Sequence, residues 1–157
     1  MSLVFDNYQE KDFVDLREMI FALYAEDPSG SEMTDEKIEN TVREIAAHTE
    51  KARIMMIRTE GENIGYSIIV MFWSNERGGD IIHIDELYVK KEYRNKRAAS
   101  SFIEWLIESY TNAVAFALET TPSNSAASRL YHRLGFEPTI NSHWIKVTQA
   151  ASNKQGL

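Results

Sequence analysis

Apolar positions recur along this chain with two different periods, and the switches between them mark out its elements. Residues 13–25 carry Phe13, Leu16, Ile20 and Leu23 at helical spacing, with Asp12 suited to cap the helix. A short β-prone stretch, 4–8, precedes them, and Glu26-Asp27-Pro28-Ser29-Gly30-Ser31 follows as a turn. A second helix is predicted from near Thr34 through Ile38, Val42 and Ile45 to about His48. The period then falls to two. Residues 52–58 and 64–73 read as strands joined by a Glu60-Gly61-Glu62-Asn63 hairpin turn, with Gly65 expected to break the second. Gly78-Gly79 leads into a further strand from Ile81, completing an antiparallel meander. Phe102, Ile103, Leu106 and Tyr110 stripe a helix over 97–111, and 114–119 is apolar enough for a buried strand. A right-handed crossover would set that strand parallel to the Ile81 strand. The last helix runs from Ser125 to about Leu134, capped by Ser123 or Asn124, with Leu130 and Leu134 facing the core and Gly135 ending it.

Composition narrows the chemistry. A chain of 157 residues fits one domain with a substantial core, placed at 3–148, with a frayed tail at 149–157. The absence of cysteine excludes thiol chemistry and disulfides, and four scattered histidines give no metal-ligand pair. No apolar run approaches the roughly 20 residues of a membrane span, so a cytoplasmic protein is expected. Residues 1–80 hold 17 acidic and 8 basic side chains, and residues 81–157 hold 7 and 9. Without a broad basic face, nucleic acid is not expected as a partner. The imbalance suits a protein that holds an anion with one half and meets a cation with the other.

Two stretches carry candidate chemistry. Between the Ile81 strand and the next helix lies KKEYRNKR, residues 90–97, in which five of eight side chains are cationic. A helix start with unpaired N–H groups and added Lys and Arg suits phosphate. In the last helix, Asn124, Ala127 or Ser128, and Tyr131 share a face, which points the Tyr131 phenol toward whatever covers the helix start.

Asn124 through Phe136 resembles the N-x-x-A-x-x-[LF]-Y-x-x-x-G-F element of the GNAT superfamily of acyl-CoA-dependent N-acetyltransferases. Residues 81–107 resemble that family's V-x-x-x-[YF]-[RQ]-x-x-G-x-[GA] motif through Val89, Tyr93, Arg94 and Ala99. The element order agrees over about residues 3–148. The resemblance implies an α/β (α+β) fold with a mixed, mostly antiparallel sheet of six or seven strands flanked by about four helices. It implies acetyl-CoA as cosubstrate, with Leu87, Tyr88 and Val89 along pantetheine and Arg94, Asn95, Lys96, Arg97, Ala98 and Ala99 at phosphate. Asn124 would reach the pantetheine or acetyl end, and Tyr131 the thioester sulfur. Position 97 departs from the pattern, because the family most often has Gly there. Arg97 would either add its own bonds to phosphate or block the site.

The implied reaction is direct attack of a neutral primary amine on the thioester, which requires a base, an oxyanion donor and an acid for the leaving thiolate. Tyr131 is the expected acid. His83, Asp85 and Glu119 are the expected bases, whereas Glu86, expected on the opposite face of its strand from His83 and Asp85, is the weaker candidate. Tyr24, Glu26 and Asp27, with Glu32 and Asp35, would wall the acceptor site and favour a cationic small molecule or peptide. The alternative reading is a degenerate GNAT domain acting as a CoA-binding or regulatory module. Phe72-Trp73 or His143-Trp144 would serve a dimer, so monomer and homodimer both stay open.

Overall fold

The computed structural model describes residues 1–28 and 30–148. The frayed tail predicted at 149–157 lies outside the described residues. Strand β1 (Leu3–Asn7) is followed by helices α1 (Phe13–Glu26) and α2 (Asp35–Ala47). Strands β2 (Ala52–Thr59), β3 (Glu62–Ser74) and β4 (Gly79–Val89) come next, then α3 (Ala98–Ser109), β5 (Ala115–Leu118) and α4 (Ser125–Arg133). The sheet order is β1-β2-β3-β4-β5, antiparallel throughout except for the parallel β4–β5 pair that the α3 crossover creates.

The alternating strands bury both faces of this sheet. Leu16, Met19, Ile20 and Ile38 of α1 and α2 pack with Ile54, Met56, Tyr66, Ile68 and Tyr88 on one side. Phe102, Ile103 and Leu106 of α3 pack with Met55, Ile57, Ile82, Ile84 and Val89 on the other. The α1 stripe is therefore centred on Leu16, Met19 and Ile20, with Phe13 and Leu23 at its half-buried margins.

Four expectations need correction. Asp12 does not cap α1 with its side chain. Its carboxylate instead accepts from the Gln9 N–H and the Arg58 guanidinium, each at 2.9 Å. Although its pairing with β2 is bulged at the neighbouring Ile64, β3 runs as one strand from Glu62 to Ser74 and does not end at Gly65. A Cβ there would meet the Tyr88 carbonyl oxygen at 2.4 Å, so glycine is what lets β4 approach. The sheet has five strands among the described residues, not six or seven. After Gly135, Pro138 lacks a ladder donor, and residues 141–148 form no strand, with Trp144 93% exposed. The fourth correction lies in β4. The partner of Ile68 is Glu86 and the partner of Ile69 is Ile84, so Asp85 is an extra, bulged residue. The bulge reverses the side-chain alternation beyond it. Glu86 and Tyr88 therefore face α1 and α2, on the side where His83 stands, rather than opposite it.

Candidate functional site

Pairing of β5 with β4 ends at Ile84 and Leu118, yet β4 continues to Val89. Beyond that point β4 has β3 on one side and a cleft on the other, closed by residues 119–124 and α4. Three sections follow one another along the cleft. The first, of about 360 Å³, is lined by Leu23, Tyr24, Asp27, Asp85, Glu86, Glu119, Asn124 and Tyr131. The middle section adds Glu26, Tyr88, Val89 and Leu130, and shares Leu87, Asn124 and Tyr131 with the first. The last, of about 440 Å³, shares Val89, Arg94, Ala99 and Leu130 with the middle and adds Asn95, Arg97, Ala98, Arg129 and Arg133. The cleft thus passes from carboxylates, over an apolar floor, to guanidinium groups.

At the acidic end Glu86 is central. The Tyr66 hydroxyl donates to its Oε2 at 3.1 Å. Burial raises the Glu86 pKa and the Asp85 charge adds to the rise, while the Tyr24 and Tyr66 hydroxyls oppose it. Those two phenols are themselves pushed up, mainly by burial and then by the Glu86 carboxylate. Asp85 and Glu119 are exposed at the rim, and Glu119 lies 3.6 Å from His143. His83 does not line this section; it is half-buried, 3.8 Å from Asp85. On the facing wall, Tyr131 packs its ring against Phe136 at 6.0 Å, and burial raises its pKa, so it stays protonated. Asn124 caps α4 by accepting from the Ala127 N–H at 3.1 Å.

The cationic end is built on backbone. Asn95 and Arg97 both take left-handed φ, at 60° and 65°, the conformation that favours glycine. This bends the chain so that α3 starts at the cleft, and among the described residues Ala98, Ala99 and Ser100 have no backbone acceptor for their N–H groups. Arg97 leaves them uncovered. Its side chain is 76% exposed and lies 3.6 Å from Glu104, back along α3. Arg94 donates to the Val89 carbonyl at 2.8 Å and to both Glu26 oxygens, at 2.9 and 2.7 Å. Lys96 stands outside the cleft, its ammonium 5.5 Å from the Tyr93 ring centroid. Free N–H groups at a helix start, ringed by guanidinium groups and open to an apolar groove, fit a phosphate-bearing ligand with a thin, largely uncharged arm.

Residues 17–136 match the Acetyltransferase (GNAT) family. The chain belongs to the GNAT family of acetyltransferases. Acetyl-CoA is the acyl donor of this family of N-acetyltransferases. No curated protein sequence matches this GNAT chain. Solved structures share its fold at low identity. A possible acetyltransferase from Clostridium difficile 630 superposes with a TM-score of 0.80 at 19% identity, covering 94% of this chain and 99% of the other. AAC(6′)-Iy, in complex with the bisubstrate analogue CoA-S-monomethyl-acetylneamine, gives 0.78 at 15% identity over 94% and 99%. Ribosomal-protein-alanine N-acetyltransferase from Brucella melitensis biovar Abortus 2308 gives 0.73 at 18% over 93% and 100%.

The fold brings Tyr131, Asp85, Glu119, Asn124, Leu87, Tyr24 and Asp27 to one end of this GNAT cleft. Tyr88, Val89, Arg94, Asn95, Arg97, Ala98 and Ala99 line the rest of it. Strand parity along β4 alone makes Glu86 the weaker candidate base. The three-residue step from Ile84 to Leu87, in a run otherwise apolar at every second position, is the signal of the bulge. Arg129 and Arg133 were missed as well; their four-residue spacing on the helix bearing Tyr131 was the available sign.

Proposed function

We propose that this protein transfers the acetyl group of acetyl-CoA to a primary amine on a cationic acceptor. The observation that carries this reading is the graded cleft, with carboxylates at one end and guanidinium groups at the other. When bound, acetyl-CoA supplies an acetyl thioester, an acyl group activated toward amines. The N–H groups of Ala98, Ala99 and Ser100, with Arg94, would hold its pyrophosphate, and Leu87, Tyr88, Val89 and Asn124 its pantetheine arm. Asp27, Asp85 and Glu119 attract the positive charge of the acceptor to the other end of the cleft.

An amine attacks only after it loses its proton. Glu86 is placed to take that proton, directly or through one water, because it lies deepest among the carboxylates and its raised pKa brings it nearer neutrality. Tyr24 and Tyr66 keep the Glu86 carboxylate oriented toward the cleft. Across from it, the Tyr131 hydroxyl retains its proton and donates it to the departing sulfur.

The test is thiol release from acetyl-CoA against a panel of amines of matched size. Polyamines, aminoglycoside-like amines and peptides with a basic N-terminus should be acetylated. Neutral and acidic amines should react at least tenfold more slowly. Equal rates across the panel would refute the cationic assignment, and no release with any amine would refute catalysis.

A further inference from the structure

The cationic end of the cleft holds more charge than the turn at 94–99 requires. Arg94 is engaged by Glu26, Arg97 by Glu104, and nearby Lys90 by Glu62 at 3.1 Å. Arg129 and Arg133 are different. Both line the same groove, yet among the described residues neither has a carboxylate within 4.0 Å or a side-chain hydrogen bond. They stand four residues apart on α4, so their like charges face one another on one side of the helix. The C-terminal dipole of α4 explains a cation in its last turn, where Arg133 sits, but not a second one at mid-helix.

Coenzyme A carries two separate anionic groups: the internal pyrophosphate, and a phosphate monoester on the 3′ position of its adenosine ribose. The monoester is dianionic near neutral pH and offers three strong acceptor oxygens, which guanidinium groups meet with charge-assisted pairs. Resting on the cofactor reading above, we infer that Arg129 and Arg133 bind the ribose 3′-phosphate of the donor, so that α4 selects CoA over its 3′-dephospho form. The backbone of α3 and the side chains of α4 then divide the two phosphate groups between opposite walls of one groove.

Calorimetric titration of the protein with CoA and with 3′-dephospho-CoA tests this without turnover. The unaltered chain should bind CoA roughly tenfold or more tightly, as one or two exposed charge-assisted contacts imply. The double variant Arg129→Ala/Arg133→Ala should bind both ligands alike, at the affinity of the unaltered chain for dephospho-CoA. That retained affinity also reports that the variant is folded. Equal binding of the two ligands by the unaltered chain overturns the inference, whatever the variant does. A preference that persists in the double variant also overturns it, and moves the 3′-phosphate to Arg94 or Arg97. Binding of neither ligand by the unaltered chain overturns the cofactor reading itself, and the inference falls with it.

Discussion

Glu86 and Tyr131 both line the acidic end of the cleft, and in the mechanism proposed above their protonation states would set the pH behaviour. Glu86 is a carboxyl whose folded pKa is raised by burial, so as a base it works only above that raised value. Turnover should therefore fall as pH drops through a point above the ordinary glutamate range. Glu86→Gln should remove that limb and lower kcat roughly hundredfold; a pH–rate profile unchanged in shape would clear Glu86. Stability moves the opposite way. Ionising Glu86 costs folding free energy that sets in as pH rises through the unfolded-chain value and is complete above the folded one. Glu86→Gln should thus be more stable than the parent at neutral pH and equal to it in acid, as read by urea unfolding. Tyr131→Phe keeps the ring packing on Phe136 and should reduce turnover by more than tenfold with acetyl-CoA affinity unchanged. Equal turnover would remove the phenol as the acid. Arg97 gives a third test at this scale. A non-glycine residue at φ 65° costs roughly 1–2 kcal/mol, and glycine returns part of that through its freer unfolded chain. Arg97→Gly should stabilise by up to about 1 kcal/mol without weakening acetyl-CoA binding, because the arginine side chain lies along α3. A tenfold loss of affinity would show that its guanidinium holds phosphate after all.

Helices and strands were legible where the local pattern governs them. α1, α2 and α4 begin and end within a few residues of the sequence reading, since their stripes and their Thr34, Asn124 and Gly135 boundary residues are local signals. The cleft elements were legible too, because the basic turn and the Asn124–Tyr131 face are contiguous in sequence. What failed depended on a neighbour. The bulge at Asp85 exists only in the pairing with β3, and parity counted along β4 alone put Glu86 on the wrong side. Gly65 was read as a break because glycine weakens a strand, whereas its role is to admit the Tyr88 carbonyl from the next strand. The count of six or seven strands comes from the family resemblance rather than from the residues themselves, whose own pattern marks only the five strands that form. Gly65→Ala tests the closeness of β3 and β4. Its Cβ would press on backbone rather than on a flexible side chain, so unfolding should be easier by about 1–3 kcal/mol or more. The shift should also displace Tyr88 and Val89 and weaken CoA binding; an unaffected midpoint would mean that β4 can move away freely.

At the scale of the whole molecule, one buried cluster ties the acidic half to the sheet that carries the site. Arg58, on β2, donates to Asp6 of β1 and to both oxygens of Asp12 at 2.9 Å, and also to Asn63 of β3. Asn63 in turn donates to Asp15 of α1 at 2.7 Å. The Asp12 side chain is 2% exposed and that of Arg58 12%, so these charges are held away from water. Burial alone would raise the Asp12 pKa, but the bonds from Arg58, the Gln9 N–H and Asn63 hold it below the usual carboxylate value. The cluster fixes the start of α1, and the far end of that helix supplies Leu23, Tyr24 and Asp27 to the cleft. Its contribution is present above the unfolded value of an aspartate and lost as pH falls through the lower folded value. Arg58→Met retains the volume of the side chain but leaves Asp12 buried without its cation, which costs roughly 3–5 kcal/mol when one partner of such a pair is removed. Asp12→Asn/Arg58→Met removes both charges and should recover much of that loss. Thermal and urea unfolding of the single and double variants measure the coupling. If α1 is positioned through this cluster, the single variant should also lose affinity for cationic acceptors while it remains folded, and the double variant should regain it. A single variant as stable as the parent would mean that the helix is held by its Leu16, Met19 and Ile20 packing alone, with the acidic wall of the cleft independent of the charges beneath it.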